Sequence, residues 1–332
     1  RDSRNTGFEV EGNLSLIRNP KGFNWDFSFN ASLVHNKIIK LPYNGNENNR
    51  QGGTQVFDPK TQQVIWVGGY QEGHTMGDIY AYKQVKILSD WNEVNTMAGN
   101  YIDMIAGLYG PNVSDADKKK YGLTKPIEPG DVLWADLDGN HKIDQLDRVK
   151  VGNIYPKWTG GFSTTLSYKN VSLYGRFDFA LGHTILNMVA MRSLGQSVGF
   201  KNIIKEGLKT WTEENTNTDL PKSYYDDSTN KKNIYRDTKG SDITSVNDRS
   251  SRFYEKGDYL ALRELTLNWK LPVNWISKVG MTNASVYITG QNLFYITGYS
   301  GSSPEAPLTY PGVDAGRYPT PRTVLVGASV SF

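Results

Sequence analysis

One short stretch of the chain places acidic residues at the spacing of a calcium-binding loop. Asp136, Asp138 and Asn140 occupy positions 1, 3 and 5 of such a loop, where side-chain oxygens bind the ion. Three later positions continue the pattern, with the backbone carbonyl of Lys142 and the carboxylates of Asp144 and Asp147. Calcium binds roughly six to eight oxygens around a tight turn. The spacing therefore predicts a structural Ca²⁺ ion without a catalytic role.

Two features of this loop depart from the calcium pattern. Position 6, where the turn favours a residue that tolerates left-handed geometry, is His141. Position 12 is Asp147, whose side chain is shorter than the usual bidentate glutamate. The alternative is a turn rich in Asp and Asn that is capped by its own side chains. The sequence leaves both interpretations open.

Catalytic patterns are missing from the sequence. The chain has no cysteine, and its four histidines are scattered: His35, His74, His141 and His183. It contains neither an H-E-x-x-H nor a G-x-S-x-G pattern, and a barrel enzyme would need an ordered Ser/His or Asp/His pair. We therefore predict that the protein is not an enzyme. The net charge of +3 is small for 332 residues and gives no reason to expect a nucleic-acid partner.

The elements that carry these residues are long strands with two unlike faces. At the end of the chain, Val324, Val326, Ala328, Val330 and Phe332 alternate with small or polar residues, as on a strand with one apolar face. The same alternation occurs in 7–17, 23–35, 158–168, 171–181, 258–271 and 283–293. These segments are long enough to cross a bilayer at barrel tilt, whereas strands of soluble sandwiches average about 5–6 residues. The pattern predicts an all-β, antiparallel transmembrane β-barrel, with Phe332 as its terminal signal.

The mean hydropathy of −0.53 agrees with this prediction, because barrel strands are only half apolar. Segment 258–271 changes phase, since Leu260 and Leu262 lie on even positions and Leu265 and Leu267 on odd ones. A β-bulge near Arg263 would absorb that slip.

Short and long connections alternate along the chain, as expected for periplasmic turns and extracellular loops. The short ones are 19–22, 169–170 and 272–282, and the long ones are about 36–157, 183–257 and 294–320. Within the first long connection, 79–87 and 132–135 could form two further crossings or an extracellular hairpin. The strand count is then seven or nine. Closed bacterial barrels normally have an even count, so we expect residues 1–332 to be the C-terminal part of one larger barrel domain.

Several stretches in a shared order resemble the C-terminal third of the SusC/RagA-type TonB-dependent outer-membrane transporters of the Bacteroidetes. Examples are N-T-G-F-E at 5–9, G-D-I-Y-A-Y at 77–82 and G-N-I-Y-P-K at 152–157. Further matching stretches are 23–37, 69–73, 130–147, 259–267, 290–294 and 318–322. Together they cover nearly the whole chain, and no single one is specific alone.

The resemblance implies a barrel of roughly 22 strands whose lumen holds an N-terminal plug, which these residues do not include. It also implies a SusD-like lipoprotein lid, energy supplied through TonB, and a dimer of transporter–lid pairs in the outer membrane of a Gram-negative bacterium. Members of this family import oligosaccharides or peptides. The alternative is a passive porin or adhesin-type barrel that is complete within these residues, against which the odd strand count argues.

Against this background, the polar and aromatic residues acquire expected positions. We expect a set of polar residues to face the lumen and contact water, plug or substrate: Glu9, Glu11, Asp26, Arg176, Asp178 and Gln291. Aromatic residues of the long connections could stack on sugar rings or hold the lid: Trp66, Tyr70, Tyr80, Tyr82, Tyr299 and Tyr310. The lipid bilayer should contact the apolar face, with an aromatic girdle at or near Trp25, Phe27, Trp269 and Phe332.

Overall fold

Seven long strands form one antiparallel sheet in the order in which they occur along the chain. A computed structural model describes residues 2–194, 204–223, 250–305 and 311–332. The strands are β1 (Asp2–Ile17), β2 (Phe23–Lys40), β3 (Trp158–Tyr168), β4 (Val171–Leu181), β5 (Tyr259–Lys270), β6 (Asn283–Thr297) and β7 (Thr323–Ser331). Within the described residues, β1 and β7 form the two edges of this sheet. The predicted antiparallel all-β architecture is confirmed.

The register of the sheet keeps apolar residues on one side, which we call the apolar face. One row across five strands illustrates this face: Phe29, Phe162, Phe177, Leu262 and Phe294 are successive cross-strand partners. The rings of Phe162 and Phe177 stack with their centroids 4.6 Å apart. Because successive side chains of a strand alternate sides, the intervening residues form an opposite, polar face. Its central row contains Asn13, Ser28, Ser163, Arg176, Glu264 and Gln291.

The predicted bulge is present at Arg263 in β5. Leu262 pairs with Phe177 and Glu264 with Arg176, so Arg263 is an extra residue between two adjacent ladder positions. This insertion moves the apolar side chains of β5 from even to odd positions. The facing strand β6 is also irregular. Glu264 pairs with Gln291 and Leu262 with Phe294, so two residues of β6 lie opposite Arg263.

The first two strands extend beyond the predicted segments 7–17 and 23–35. They remain paired up to Asp2 and Lys40. A bulge near the other end of β1 alters its apolar face, because Ser15 pairs with Asp26 and Ile17 with Trp25. Ile17 therefore continues the apolar face there, in place of Leu16.

The short connections lie at one end of the sheet, since each joins the end of an odd-numbered strand to the start of the next. In the first, the Gly22 nitrogen donates to the Asn19 carbonyl at 3.0 Å. The second is a two-residue hairpin in which Lys169 adopts a left-handed φ of 52°, as such tight turns require. The third contains an α-helix, Val273–Ile276, and a 3-10 helix, Ser277–Val279.

The long connection 41–157 folds into a packed unit with its own helices and short strands. Its helices are Glu47–Asn49 and Gln145–Asp147 (both 3-10), Trp91–Met97 and Asp115–Tyr121. Its strands are Thr54–Asp58, Gln63–Val67, Asp78–Tyr82, Gln84–Ile87, Ile102–Asp103, Leu108–Tyr109, Lys125–Pro126, Val132–Trp134, Lys142–Ile143 and Arg148–Asn153. Gln84–Ile87 pairs with Val132–Trp134, and neither joins the seven-stranded sheet. Of the two predicted alternatives, further crossings are therefore excluded for these segments.

A hydrophobic core stabilises this unit. Leu88, Val94, Leu108, Val132 and Ile143 are fully buried in it. Burial of such side chains contributes roughly 1.5–3 kcal/mol each relative to exposure. The unit therefore has the internal packing of a water-soluble fold.

Among the described residues, the remaining connections contain a few short elements. Connection 182–258 contains the strands Thr184–Asn187 and Tyr254–Lys256, the helix Met188–Ser193, and the 3-10 helices Lys205–Lys209 and Ser251–Phe253. Connection 298–322 contains the strand Val313–Asp314, which pairs in parallel with Thr184–Asn187. Among the described residues, no helix has both the length and the apolar character needed to cross a membrane.

Candidate functional site

The six residues predicted to face the lumen all lie on the polar face, at different positions along the strands. They are Glu9, Glu11, Asp26, Arg176, Asp178 and Gln291. Cross-strand partners of the same face show this: Glu9 with Ser32, Glu11 with Asn30, Ser15 with Asp26, Asp178 with Ala261, and Glu264 with both Arg176 and Gln291. The Ser15 hydroxyl donates to Asp26 at 2.6 Å. A guanidinium nitrogen of Arg176 lies 3.9 Å from a Glu264 carboxylate oxygen. The six residues thus share a face and do not form one cluster.

A recess of about 280 Å³ opens on this polar face between β1 and β4. Glu11, Asn30, Ser163, Arg176 and Asp178 are among the residues that line it. Its lining offers carboxylate, amide, hydroxyl and guanidinium groups within one recess. Such a surface can exchange its hydrogen bonds with water for bonds to a polar ligand or to a polar protein surface.

The densest charge cluster on the polar face surrounds Arg263, which sequence analysis identified only as a bulge. Its guanidinium donates to Asp178 Oδ2 at 2.9 Å and to the Tyr295 hydroxyl at 3.1 Å, and it also contacts Glu305. The Tyr295 hydroxyl donates to the same Glu305 carboxylate at 2.9 Å. Because Glu305 belongs to connection 298–322, this cluster joins the connection to β4, β5 and β6.

A second set of contacts holds the same connection from the side of 182–258. A ring nitrogen of His183 lies 3.1 Å from the Pro304 carbonyl oxygen. The Ser300 hydroxyl donates to Glu255 at 2.7 Å. Within connection 298–322 itself, the Tyr299 hydroxyl donates to Asp314 at 2.7 Å. Burial, together with the neighbouring Asp314 carboxylate, raises the pKa of Tyr299 above its usual value. The phenol therefore stays neutral and acts as a donor.

Three of the six candidate calcium ligands converge in the loop before β3. Carboxylate oxygens of Asp136, Asp138 and Asp147 lie within 4.8 Å of one another. His141 adopts a left-handed φ of 62°, so the position that favours glycine keeps its turn geometry with histidine. Its backbone nitrogen donates to Asp136 at 2.7 Å. The loop thus has the curvature that places position 1 near position 12.

Asp147 is the most buried member of the cluster, with 1% of its surface exposed. It accepts hydrogen bonds from the backbone nitrogens of Leu137 and Asp144, each at 2.8 Å. Burial is the main cause that raises the pKa of Asp147 to about 6, with Asp144 and Asp136 adding repulsion. Burial likewise raises the pKa of Asp138, as do the negative charge of Asp136 and the hydrogen bond that a protonated Asp138 would donate to it. A carboxylate has about four acceptor sites, so these hydrogen bonds leave oxygens able to bind a cation.

Two of the other candidate ligands, Asn140 and Asp144, are engaged in local hydrogen bonds. The Asn140 side-chain oxygen accepts from the Lys142 nitrogen at 2.7 Å. Asp144 accepts from the Leu146 nitrogen at 2.7 Å and caps the 3-10 helix Gln145–Asp147. The loop therefore combines features of both interpretations, namely converging carboxylates and a self-capped turn.

The aromatic residues of the long connections occupy different environments. Trp66 lies under the Arg50 guanidinium, 4.3 Å from the ring centroid, and Tyr70 is exposed. Burial raises the pKa of Tyr80 to about 12, and the charges of Asp78 and Asp58 add to this shift. Tyr82 and Tyr299 are buried, so neither ring presents a face for stacking on a sugar or a lid. Tyr310 lies outside the described residues.

Comparison with known proteins gives a consistent result over the whole chain, although no family model matches it. The chain is 30% identical over 337 residues to TonB-dependent receptor P3 of Formosa agariphila, covering 99% of this chain and 28% of that protein. It is 25% identical over 340 residues to TonB-dependent receptor SusC of Bacteroides thetaiotaomicron, covering 99% of this chain and 26% of that protein. The chain thus spans less than a third of the length of these curated relatives.

Solved structures show the same fold. The structure of the RagAB peptide transporter matches 99% of this chain and 29% of that chain, with a TM-score of 0.64 and 21% identity. The RagAB peptide importer in the open-open state matches with a TM-score of 0.60 and 21% identity. The sheet, its register and this likeness show the barrel fold that TonB-dependent transporters have. Within this class, the predicted resemblance to the SusC/RagA type is confirmed by the relatives named above.

Proposed function

We propose that this chain forms part of the barrel of an outer-membrane importer that takes up oligosaccharides or peptides in a TonB-dependent manner. The observation that carries the proposal is the sheet of seven two-faced strands. It is supported by the sequence similarity to TonB-dependent receptor P3 and by the fold similarity to the RagAB peptide transporter, each over 99% of the chain. In this arrangement the apolar face contacts lipid and the polar face lines the lumen. Phe332 follows β7 directly with an exposed ring, and we propose it as a signal for barrel assembly.

We further propose the partners that such an importer requires. A SusD-like lipoprotein would cover the long connections on the extracellular side, and TonB would act through a plug inside the lumen. Transporter–lid pairs would assemble as dimers in the outer membrane of a Gram-negative bacterium. The recess lined by Glu11, Arg176 and Asp178 supports contact with a polar plug, with water or with substrate.

The partner proposal is tested by purifying the full-length protein from detergent-solubilised outer membranes and identifying its companions by mass spectrometry. Co-purification of a SusD-like lipoprotein, with peptides that map to a plug in the same polypeptide, is the expected result. A lone, heat-modifiable barrel of about the length of this chain would overturn the proposal. That result would favour the passive porin or adhesin-type alternative.

The energy source is tested by uptake of labelled oligosaccharides and labelled peptides into cells, with and without an uncoupler. An importer driven through TonB stops when the proton gradient collapses, whereas passage through a porin continues. A strain that lacks TonB is the matched control. Comparing the two labelled substrates then decides between glycan and peptide import.

We also propose that the loop 136–147 binds a structural Ca²⁺ ion. Three converging carboxylates and the left-handed turn at His141 support this, since Ca²⁺ prefers oxygen ligands in a curved loop. Calcium should raise the melting temperature of this region relative to the chelated protein, and Asp138→Asn should abolish the increase. Asp115→Asn, which changes an exposed helix carboxylate, is the matched control. An equal response of both variants would leave the self-capped turn as the explanation.

A further inference from the structure

The short connection between β5 and β6 folds back over the apolar face of the sheet. Ala284 belongs to that face, because it pairs with Val330, yet only 2% of its surface is exposed. Helix Val273–Ile276 contacts β6. The rings of Trp275 and Trp269 meet edge to face with centroids 6.0 Å apart. The helix therefore lies on the outer side of the sheet, away from the polar face.

The surface that this connection presents is apolar. Val273 is 69% exposed, Trp275 58% and Val279 64%, whereas Ile276 points inward and is buried. These three side chains extend the apolar face beyond the end of the strands. Moving these side chains from water into an apolar environment would be favourable in free energy.

We infer that the segment 273–279 lies in the headgroup layer of the phospholipid membrane and anchors this end of the sheet there. The inference rests on the proposed placement of the apolar face in lipid, with which the exposed patch is continuous. Tryptophan combines an apolar ring with a polar N–H group and is enriched at membrane–water interfaces. Asn274 and Lys278, which are exposed between the apolar residues, suit the polar side of that layer.

The neighbouring turns at the same end of the sheet have a different chemistry. The turn 19–22 exposes Asn19 and Lys21, and the hairpin 169–170 exposes Lys169 and Asn170. Polar turns of this kind project into water. The difference points to an interaction specific to 273–279, and continuity with the apolar face identifies lipid as the partner.

The test uses single cysteines with a spin label in the full-length protein reconstituted into phospholipid vesicles. The chain has no cysteine of its own, and any cysteine elsewhere in the full-length protein is replaced first. The labelled positions are Val279→Cys in the segment, Lys21→Cys in a polar turn and Val286→Cys on the apolar face. Collision rates with oxygen, which is enriched in lipid, and with a water-soluble nickel complex are measured at each position.

The expected result is an oxygen-to-nickel ratio at 279 that is severalfold higher than at 21 and lower than at 286. A label at 279 that collides with nickel as often as the label at 21 would overturn the inference. A label at 279 that is shielded from both reagents would also overturn it, because a second copy or another protein would then cover the segment. A nickel-accessible label at 286 would instead refute the proposed placement of the sheet in the membrane.

Discussion

The seven-stranded sheet leaves many apolar side chains exposed, whereas the connection 41–157 of the same chain buries its own. Val326 on the sheet is 78% exposed, whereas Leu88 in the connection is fully buried. Both regions are built from strands with similar residue types. The difference teaches that exposure must be judged against the local solvent. In the proposed placement lipid covers the apolar face, whereas the connection lies in water and needs a hydrophobic core.

The largest effect is expected where the connection depends on its core. Trp134 is almost fully buried and meets Tyr82 edge to face. Trp134→Ala should destabilise the connection by about 3–5 kcal/mol, because it removes a large buried ring and leaves a cavity. Limited proteolysis should then cut within 41–157 while the sheet remains intact. Val326→Ala, on an exposed part of the apolar face, is the control and should leave the cleavage pattern unchanged.

A charge introduced on the apolar face tests whether that face of the sheet contacts lipid. Phe162→Arg should destabilise the sheet in a bilayer by about 2–4 kcal/mol, the cost of a basic side chain near the membrane midplane. The adjacent variant Ser163→Arg places the same charge on the polar face and should cost much less. Urea unfolding in vesicles, followed by the gel shift of the folded barrel, measures both. Equal losses would contradict the assignment of the two faces.

Arg263 joins the sheet to another of its connections, 298–322, through Asp178 and Glu305. Arg263→Met should cost about 1–3 kcal/mol, because it leaves Asp178 and Glu305 without their cationic partner. The loss should appear as faster hydrogen exchange of residues 298–305. Arg263→Lys, which keeps the charge without the planar fork, should give a smaller increase. Unchanged exchange in both variants would show that Glu305 is held by other contacts.

The smallest effect concerns the buried phenol of Tyr299 in connection 298–322. Tyr299→Phe should cost about 1 kcal/mol at pH 7, since it removes one hydrogen bond to Asp314. The pH dependence is more specific. In the folded protein the pKa of Tyr299 is raised, so its contribution is complete below pH 10 and is lost as the pH rises through the folded-state pKa. Melting temperatures between pH 8 and 11 should therefore fall less steeply in the variant, and parallel curves would refute this.

The alternation of side chains predicted the sheet because lipid and lumen impose opposite demands on neighbouring residues. The phase slip at Arg263 predicted the bulge in β5, since one extra residue exchanges the two faces. The irregularity in β6 left no such signal. Two residues, Asn292 and Leu293, are inserted there, and an even number preserves the phase. In the structure, the irregularity coincides with a left-handed φ of 51° at Asn292.

The candidate sites were less accessible to sequence reasoning. The spacing within 136–147 is local, so it indicated which carboxylates could meet, but it could not show that Asn140 and Asp144 bond to nearby backbone nitrogens. The contact of Arg263 with Glu305 joins residues 42 positions apart, and no periodicity reports such a pair. Likewise, the burial of Tyr82 follows from a core assembled from distant segments.

Trp211 links two connections of this chain, which matters when segments are exchanged between related proteins. It belongs to connection 182–258, yet its ring lies in the core of connection 41–157 and its indole nitrogen donates to the Ser89 carbonyl at 3.2 Å. Gly130 is the surface against which it fits, because a Cβ there would come within 2.7 Å of the ring. The two connections therefore share one hydrophobic core and depend on each other for packing. A chimera that grafts one of them from a relative should mature poorly until its counterpart is transferred with it.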